Sequence, residues 1–128
     1  MIGALQAHAG VYLAVAGVAM LATFRIPLLV APMTWARVLR WETPPPGHLV
    51  IFLGRSLGLL ICVVAAYALR AAATPQAQPF FFELMLWIVG AMIALHVYGA
   101  VKRAQPVTET LEIALWVILL LVTLAFYP

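Results

Sequence analysis

The sequence of 128 residues contains 66% hydrophobic and 9% charged residues, whereas a soluble domain is roughly half apolar and a quarter charged. This balance excludes an ordinary soluble fold and indicates a single transmembrane domain surrounded by membrane lipids. The formal net charge of +3 comes mainly from basic residues in predicted loops, which act as topology signals in a membrane protein. A nucleic-acid partner is therefore not expected.

Four long apolar runs follow one another along the chain. They occupy residues 4–24, 49–70, 80–101 and 107–127. A helix needs about 20 mostly apolar residues to cross the hydrocarbon core, so each run predicts one transmembrane helix. The predicted fold class is an all-α membrane protein, a four-helix transmembrane bundle.

Small residues recur at helical spacing within three of these runs. Such residues usually mark places where another helix backbone comes close, because lipid supplies little hydrophobic drive for helix association. We therefore expect close packing at these positions. They include Gly10 and Gly17 in the first run, Gly54 and Gly58 in the second, and Gly90 and Ala94 in the third.

The region between the first and second runs has a different character. Pro27, Pro32 and the proline run 44–46 are expected to break any continuous helix there. Between the breaks, residues 33–41 contain two tryptophans near two arginines. Wound as a helix, this segment has Trp35 on one side and the arginines elsewhere, which is typical of a helix lying in the headgroup region. We predict a short amphipathic interfacial helix.

The ionisable residues inside the predicted spans suggest one candidate site. At a rise of about 1.5 Å per residue, Arg55, His96 and Glu112 lie in one layer, roughly 7–10 Å inside the same membrane boundary. Glu109 shares a helix face with Glu112. Ionisable residues at such depth normally face the bundle interior and pair with one another, so we expect a glutamate to approach Arg55. Secondary candidates are Tyr98, Thr108 and His48.

Three functions remain open on this pattern. The preferred interpretation is a non-enzymatic accessory or scaffold subunit of a larger membrane assembly, in which the polar site fixes helix register. The first alternative is a small proton-linked transporter or channel that uses His96 and Glu112 as titrating groups beside Arg55. The second is a binder of a hydrophobic ligand such as a quinone or lipid. Haem is disfavoured because no two histidines are expected to face one iron.

The sequence shows no Ser/His/Asp set, paired metal ligands or Gly-rich phosphate loop. We therefore expect no enzymatic activity, no metal and no cofactor. The expected partner is a second copy of the chain or another membrane protein.

Basic residues predict the orientation in the membrane. Short cytoplasmic loops are enriched in lysine and arginine. The predicted loops on one side hold five such residues, whereas the opposite side holds only Arg70. This bias predicts an integral protein, with a bacterial inner membrane as its expected location and both termini on the non-cytoplasmic side. The five residues are Arg25, Arg37, Arg40, Lys102 and Arg103.

Overall fold

The structure, a computed structural model, describes residues 2–43, 45 and 47–128. All regular secondary structure in these residues is helical, and four helical stretches are long and apolar enough to cross a membrane. The all-helical fold with four such helices is therefore confirmed. The stretches are Gln6–Val30, His48–Ala72, Pro75–Lys102 and Val107–Phe126.

The first stretch is helical throughout but changes its winding. It contains a 3₁₀ turn Gln6–His8, helix α1 Ala9–Met20, a π-helical turn Leu21–Arg25 and helix α2 Ile26–Val30. The predicted break at Pro27 is therefore wrong. The wider π-helical turn that comes directly before α2 gives room for the proline ring, which would clash with the preceding turn of a regular α-helix. The helix ends instead at Ala31, whose φ of −138° is non-helical.

A short helix follows in the predicted interfacial segment. Helix α3, Pro32–Val38, begins with proline, whose fixed φ suits the first helical turn. The chain then turns at Arg40, which has a positive φ of 64°. Part of the predicted proline-run break, Pro44 and Pro46, lies outside the described residues.

The other three helices have bounds within two residues of the apolar runs. Helix α4 is His48–Ala72, α5 is Gln78–Lys102 and α6 is Val107–Phe126, with a 3₁₀ turn Pro75–Ala77 between α4 and α5. The helices form two closely packed groups. In the first, α1 and α2 pack along α4, and in the second, α5 packs along α6. Contact between α4 and α5 is much more limited.

Glycines bring α2, α3 and α4 into close contact. A Cβ atom built on Gly58 would lie 2.9 Å from the backbone nitrogen of Leu29, and one on Gly54 would lie 2.6 Å from Cβ of Pro32. Gly17 in α1 has a comparable neighbour in α4, with its Cβ position 3.0 Å from Cγ of Leu69. A side chain at Gly54 or Gly58 would push the helices apart, whereas one at Gly17 would displace the Leu69 side chain.

The main apolar core lies where both chain termini meet, which we call the terminal end. The Tyr12 hydroxyl lies 2.6 Å from Oγ1 of Thr123, and the Tyr12 ring stacks on Phe126 at 4.9 Å between centroids. Thr123 donates its own proton to the carbonyl of Leu119, so Tyr12 is the donor to Thr123. These contacts join α1 to α6. The buried core residues beside them are Ala9, Leu13, Ala68, Ala71, Phe81, Phe82 and Met85.

Candidate functional site

The opposite end of the molecule, which we call the α3 end, is organised by the turn between α5 and α6. Arg103 has a left-handed φ of 53° and ends α5. Gln105 then folds back, and its Nε2 donates to the carbonyl of His96 at 3.0 Å and to Oγ1 of Thr110 at 3.2 Å. Gly99 makes this possible, because a Cβ there would overlap the Gln105 side chain. The first turn of α6 is thereby held against the end of α5.

His96 is the buried centre of the site, with 4% of its surface exposed. Its Nδ1 lies 2.7 Å from the carbonyl oxygen of Met92. A carbonyl only accepts, so Nδ1 carries the hydrogen. The other ring nitrogen, Nε2, faces α6, where Oε2 of Glu109 lies at 3.1 Å and Oε2 of Glu112 at 3.8 Å. One imidazole nitrogen thus faces two carboxylates.

The segment after α3 completes this arrangement. Nε1 of Trp41 donates to Oε1 of Glu109 at 2.8 Å, which leaves the other carboxylate oxygen directed at His96. The hydroxyl of Thr108 donates to the carbonyl of Leu39. Two hydrogen bonds therefore attach the α3 segment to the first turn of α6.

Trp116 lies beside the cluster on the next turns of α6. Its ring centroid is 5.8 Å from that of His96. The indole N–H is buried next to the Glu112 carboxylate, but within the described residues it reaches no acceptor in hydrogen-bond geometry. The Glu112 carboxylate is therefore the polar group nearest to this donor.

The structure brings together three of the four primary candidates. His96, Glu109 and Glu112 meet, whereas Arg55 is exposed and forms no ion pair with either glutamate. The reason lies in α4, where the neighbouring Gly54 packs against α3. One residue further along a helix, a side chain is turned by about 100°. Direction around the helix axis therefore separates Arg55 from the cluster.

The secondary candidates take different positions. Thr108 joins the site through its bond to Leu39. Tyr98 is exposed on α5, with Nζ of Lys102 at 5.9 Å from its ring centroid. His48 is exposed at the first residue of α4.

Sequence reasoning did not single out Trp41 as a partner of Glu109. It interpreted the tryptophans of this segment as markers of membrane depth. The contact depends on the turn at Arg40, and nothing in the sequence signals a positive φ at an arginine.

Comparison of the chain with protein-family models, curated proteins and solved structures gives no match. The geometry of the chain is therefore the basis for any functional proposal.

Proposed function

We propose that this protein is a non-enzymatic integral membrane protein that serves as a subunit of a larger membrane assembly. The observation that carries the proposal is a surface of small residues on α5 that the chain itself leaves unfilled. This assembly face comprises Gly90 and Ala94, with Trp87 and Tyr98 at its ends.

The assembly face differs from the other glycine positions of the transmembrane helices. Gly17, Gly54 and Gly58 are each filled by a neighbouring element of the same chain, whereas a Cβ on Gly90 would meet nothing within 4 Å. Ala94 is also exposed. Trp87 is 80% exposed and Tyr98 62% exposed. The small side chains at Gly90 and Ala94 thus form a shallow groove about one helical turn long, with an aromatic side chain at each end.

An unfilled glycine in a helix interior carries a cost. Glycine destabilises a helix by roughly 0.5–1 kcal/mol relative to alanine, and no contact within this chain offsets that loss at Gly90. In lipid, small residues at a spacing of four allow two backbones to approach closely, and the resulting packing drives association. A transmembrane helix from a second subunit is the occupant that matches this surface. We take a second copy of the chain as the first candidate.

The proposed placement in the membrane uses the basic residues. The α3 end carries Arg37 and Arg40, both exposed, and the turn after α5 carries Lys102 and Arg103. We assign this end to the cytoplasmic side, with α3 in the headgroup region and both termini on the other side of a bacterial inner membrane. Labelling of single cysteines placed at residues 2 and 104 with an impermeant reagent tests this. Labelling of residue 104 alone from outside would overturn the orientation.

The assembly face is tested by Gly90→Leu. The protein is crosslinked in native membranes through Ala94→Cys in a Cys62→Ala background, and the mass of the product identifies the partner. We expect a product of twice the chain mass that Gly90→Leu abolishes, because the new side chain fills the groove. Gly90→Leu should leave the helix content of the purified protein unchanged, since the space around Gly90 is open.

Ala114→Leu is the matched control, because Ala114 is an exposed small residue on α6. It adds similar bulk away from the assembly face and should not affect the crosslink. A product of a different mass would point to a partner other than a second copy. No crosslink at all, or a crosslink insensitive to Gly90→Leu, would overturn the proposed face.

The transport alternative has less support than the proposed role as a subunit. That interpretation used Arg55 as the counter-charge of His96 and Glu112, and Arg55 lies exposed on α4 without an ion pair to the cluster. The hydrophobic-ligand alternative has no specific contact to support it in the described residues.

A further inference from the structure

We infer that His96, Glu109 and Glu112 bind one divalent transition-metal cation at the α3 end. The donors are Nε2 of His96 and one carboxylate oxygen from each glutamate. This site goes beyond the assembly role and does not depend on it.

The spacing of the donor atoms fits one small cation. The three atoms lie within 4.8 Å of one another, and the two distances from Nε2 are 3.1 and 3.8 Å. A metal bound at about 2.0–2.2 Å in tetrahedral geometry keeps its ligand atoms roughly 3.3–3.6 Å apart. The two distances from Nε2 differ from this range by a few tenths of an ångström. The two carboxylate oxygens, which lie up to 4.8 Å apart, would approach each other by up to about 1.2–1.5 Å through side-chain rotation to reach a bound geometry.

The local charge calls for a cation. When His96 is neutral, its hydrogen is on Nδ1, so Nε2 presents a lone pair to two carboxylates, and this arrangement is repulsive unless a metal ion or a proton lies between them. No lysine or arginine side chain described in the structure forms an ion pair with Glu109 or Glu112. A metal ion satisfies all three donors at once, whereas a proton on Nε2 serves mainly the nearer carboxylate.

The surroundings of the cluster resemble those of established metal sites. A metal-ligating histidine almost always donates its second ring N–H to a carbonyl or carboxylate, and ligating carboxylates are themselves hydrogen-bonded. Here the Met92 carbonyl accepts from His96, and Trp41 donates to Glu109. The buried N–H of Trp116 lies next to the Glu112 carboxylate and is placed to hold the second glutamate in the same way.

The donor types restrict the class of cation. Imidazole nitrogen favours zinc, copper, iron and nickel, while sites for Mg²⁺ and Ca²⁺ use oxygen donors. One imidazole and two carboxylates with no thiolate therefore suit Zn²⁺ or another first-row divalent ion. Three protein donors leave at least one coordination position for water, as in catalytic zinc sites.

Co²⁺ is the probe for the test, because its visible absorption reports coordination geometry and Zn²⁺ displaces it. Full-length protein in detergent, stripped of metal and freed of any histidine tag, is titrated with Co²⁺ and then with Zn²⁺. We expect one Co²⁺ per chain and loss of its absorption on adding Zn²⁺. His96→Ala should abolish the signal. Trp41→Phe should weaken affinity by about 10–100-fold, as expected for a group that holds a ligand in place.

His48→Ala is the matched control, because His48 is exposed and distant in sequence from the cluster; it should bind Co²⁺ as the unsubstituted protein does. Glu112→Gln provides a second test that keeps the shape of the side chain. Zn²⁺ should raise the melting temperature of the unsubstituted protein and of His48→Ala but not of Glu112→Gln. Binding that is absent from the unsubstituted protein, or unchanged in His96→Ala and Glu112→Gln, would overturn the metal site.

Discussion

The two ends of this molecule hold the same pair of helices by different means. At the terminal end, α5 and α6 meet α1 through buried aromatic rings and the bond from Tyr12 to Thr123. At the α3 end, they are joined to each other and to the α3 segment by polar side chains around His96. Apolar packing dominates one end and hydrogen bonding the other.

The terminal end therefore contributes mainly to the stability of the fold, whereas the α3 end contains the groups that can bind a ligand. Packing of rings inside a bundle tolerates few changes and offers no donor to a ligand. The α3 end has the opposite properties, since its carboxylates are 12% and 20% exposed and can bind an ion. We therefore expect substitutions at the terminal end to affect unfolding most strongly, and those at the α3 end to affect ligand binding as well.

The largest loss of stability is expected for Phe82→Ala. Phe82 is fully buried and contacts Tyr12 and Tyr127 at centroid distances of 5.7 and 5.9 Å. The expected loss is about 2 kcal/mol, below the roughly 3–5 kcal/mol of soluble cores, because in the proposed membrane location unfolding moves the ring into lipid instead of water. Reversible unfolding in mixed micelles measures it.

Phe80→Ala is the control for that experiment. It removes the same ring at a position that is 73% exposed, so its free energy of unfolding should change little. Equal losses for the two substitutions would show that the terminal end is not the main core.

A smaller loss is expected for Glu109→Ala at the α3 end. The substitution removes the acceptor of Trp41, and a typical hydrogen bond contributes about 0.5–1.5 kcal/mol. In metal-stripped protein, hydrogen exchange of the backbone amides after Pro32 should accelerate as the α3 segment loosens. Glu83→Ala, at an exposed carboxylate, should change neither quantity. Unchanged exchange in Glu109→Ala would show that Trp41 is held by other contacts.

The smallest effect is expected for Tyr12→Phe, which keeps the stacked ring and removes only the hydroxyl. Hydrogen bonds between membrane helices contribute about 0.6 kcal/mol on average, so the free energy of unfolding should fall by about that amount. A double-mutant cycle with Thr123→Val isolates the pair. A coupling energy near zero would mean that ring packing alone joins α1 to α6.

The sequence was sufficient to predict the four long helices, because long apolar runs determine them. It was also sufficient to place His96 and Glu112 at one level, because the rise per residue of a helix is fixed, and the two side chains do meet. Depth carries no information about the direction of a side chain around its helix. Arg55, which was expected in the same layer, is exposed and lies outside the cluster.

Local backbone geometry explains the remaining differences between the sequence-based predictions and the structure. Pro27 was expected to end the first helix, but the π-helical turn Leu21–Arg25 accommodates it. Trp41 reaches Glu109 only because Arg40 takes a positive φ. Neither feature is signalled by the residue types of the short stretch in which it occurs. The same holds for the metal donors, since His96 and Glu109 lie 13 residues apart on two helices and match no known ligand spacing.

The hydrogen bond between Tyr12 and Thr123 affects the order in which the helices can pack during synthesis. The two residues are separated by 111 positions, whereas α1 and α2 find their partner α4 within the first part of the chain to be made. The first helix pair can close early, while the Tyr12 hydroxyl must wait until residue 123 has left the ribosome. The terminal end is therefore completed only after α6 has been made, and a chain cut short before Thr123 retains an open surface beside α1.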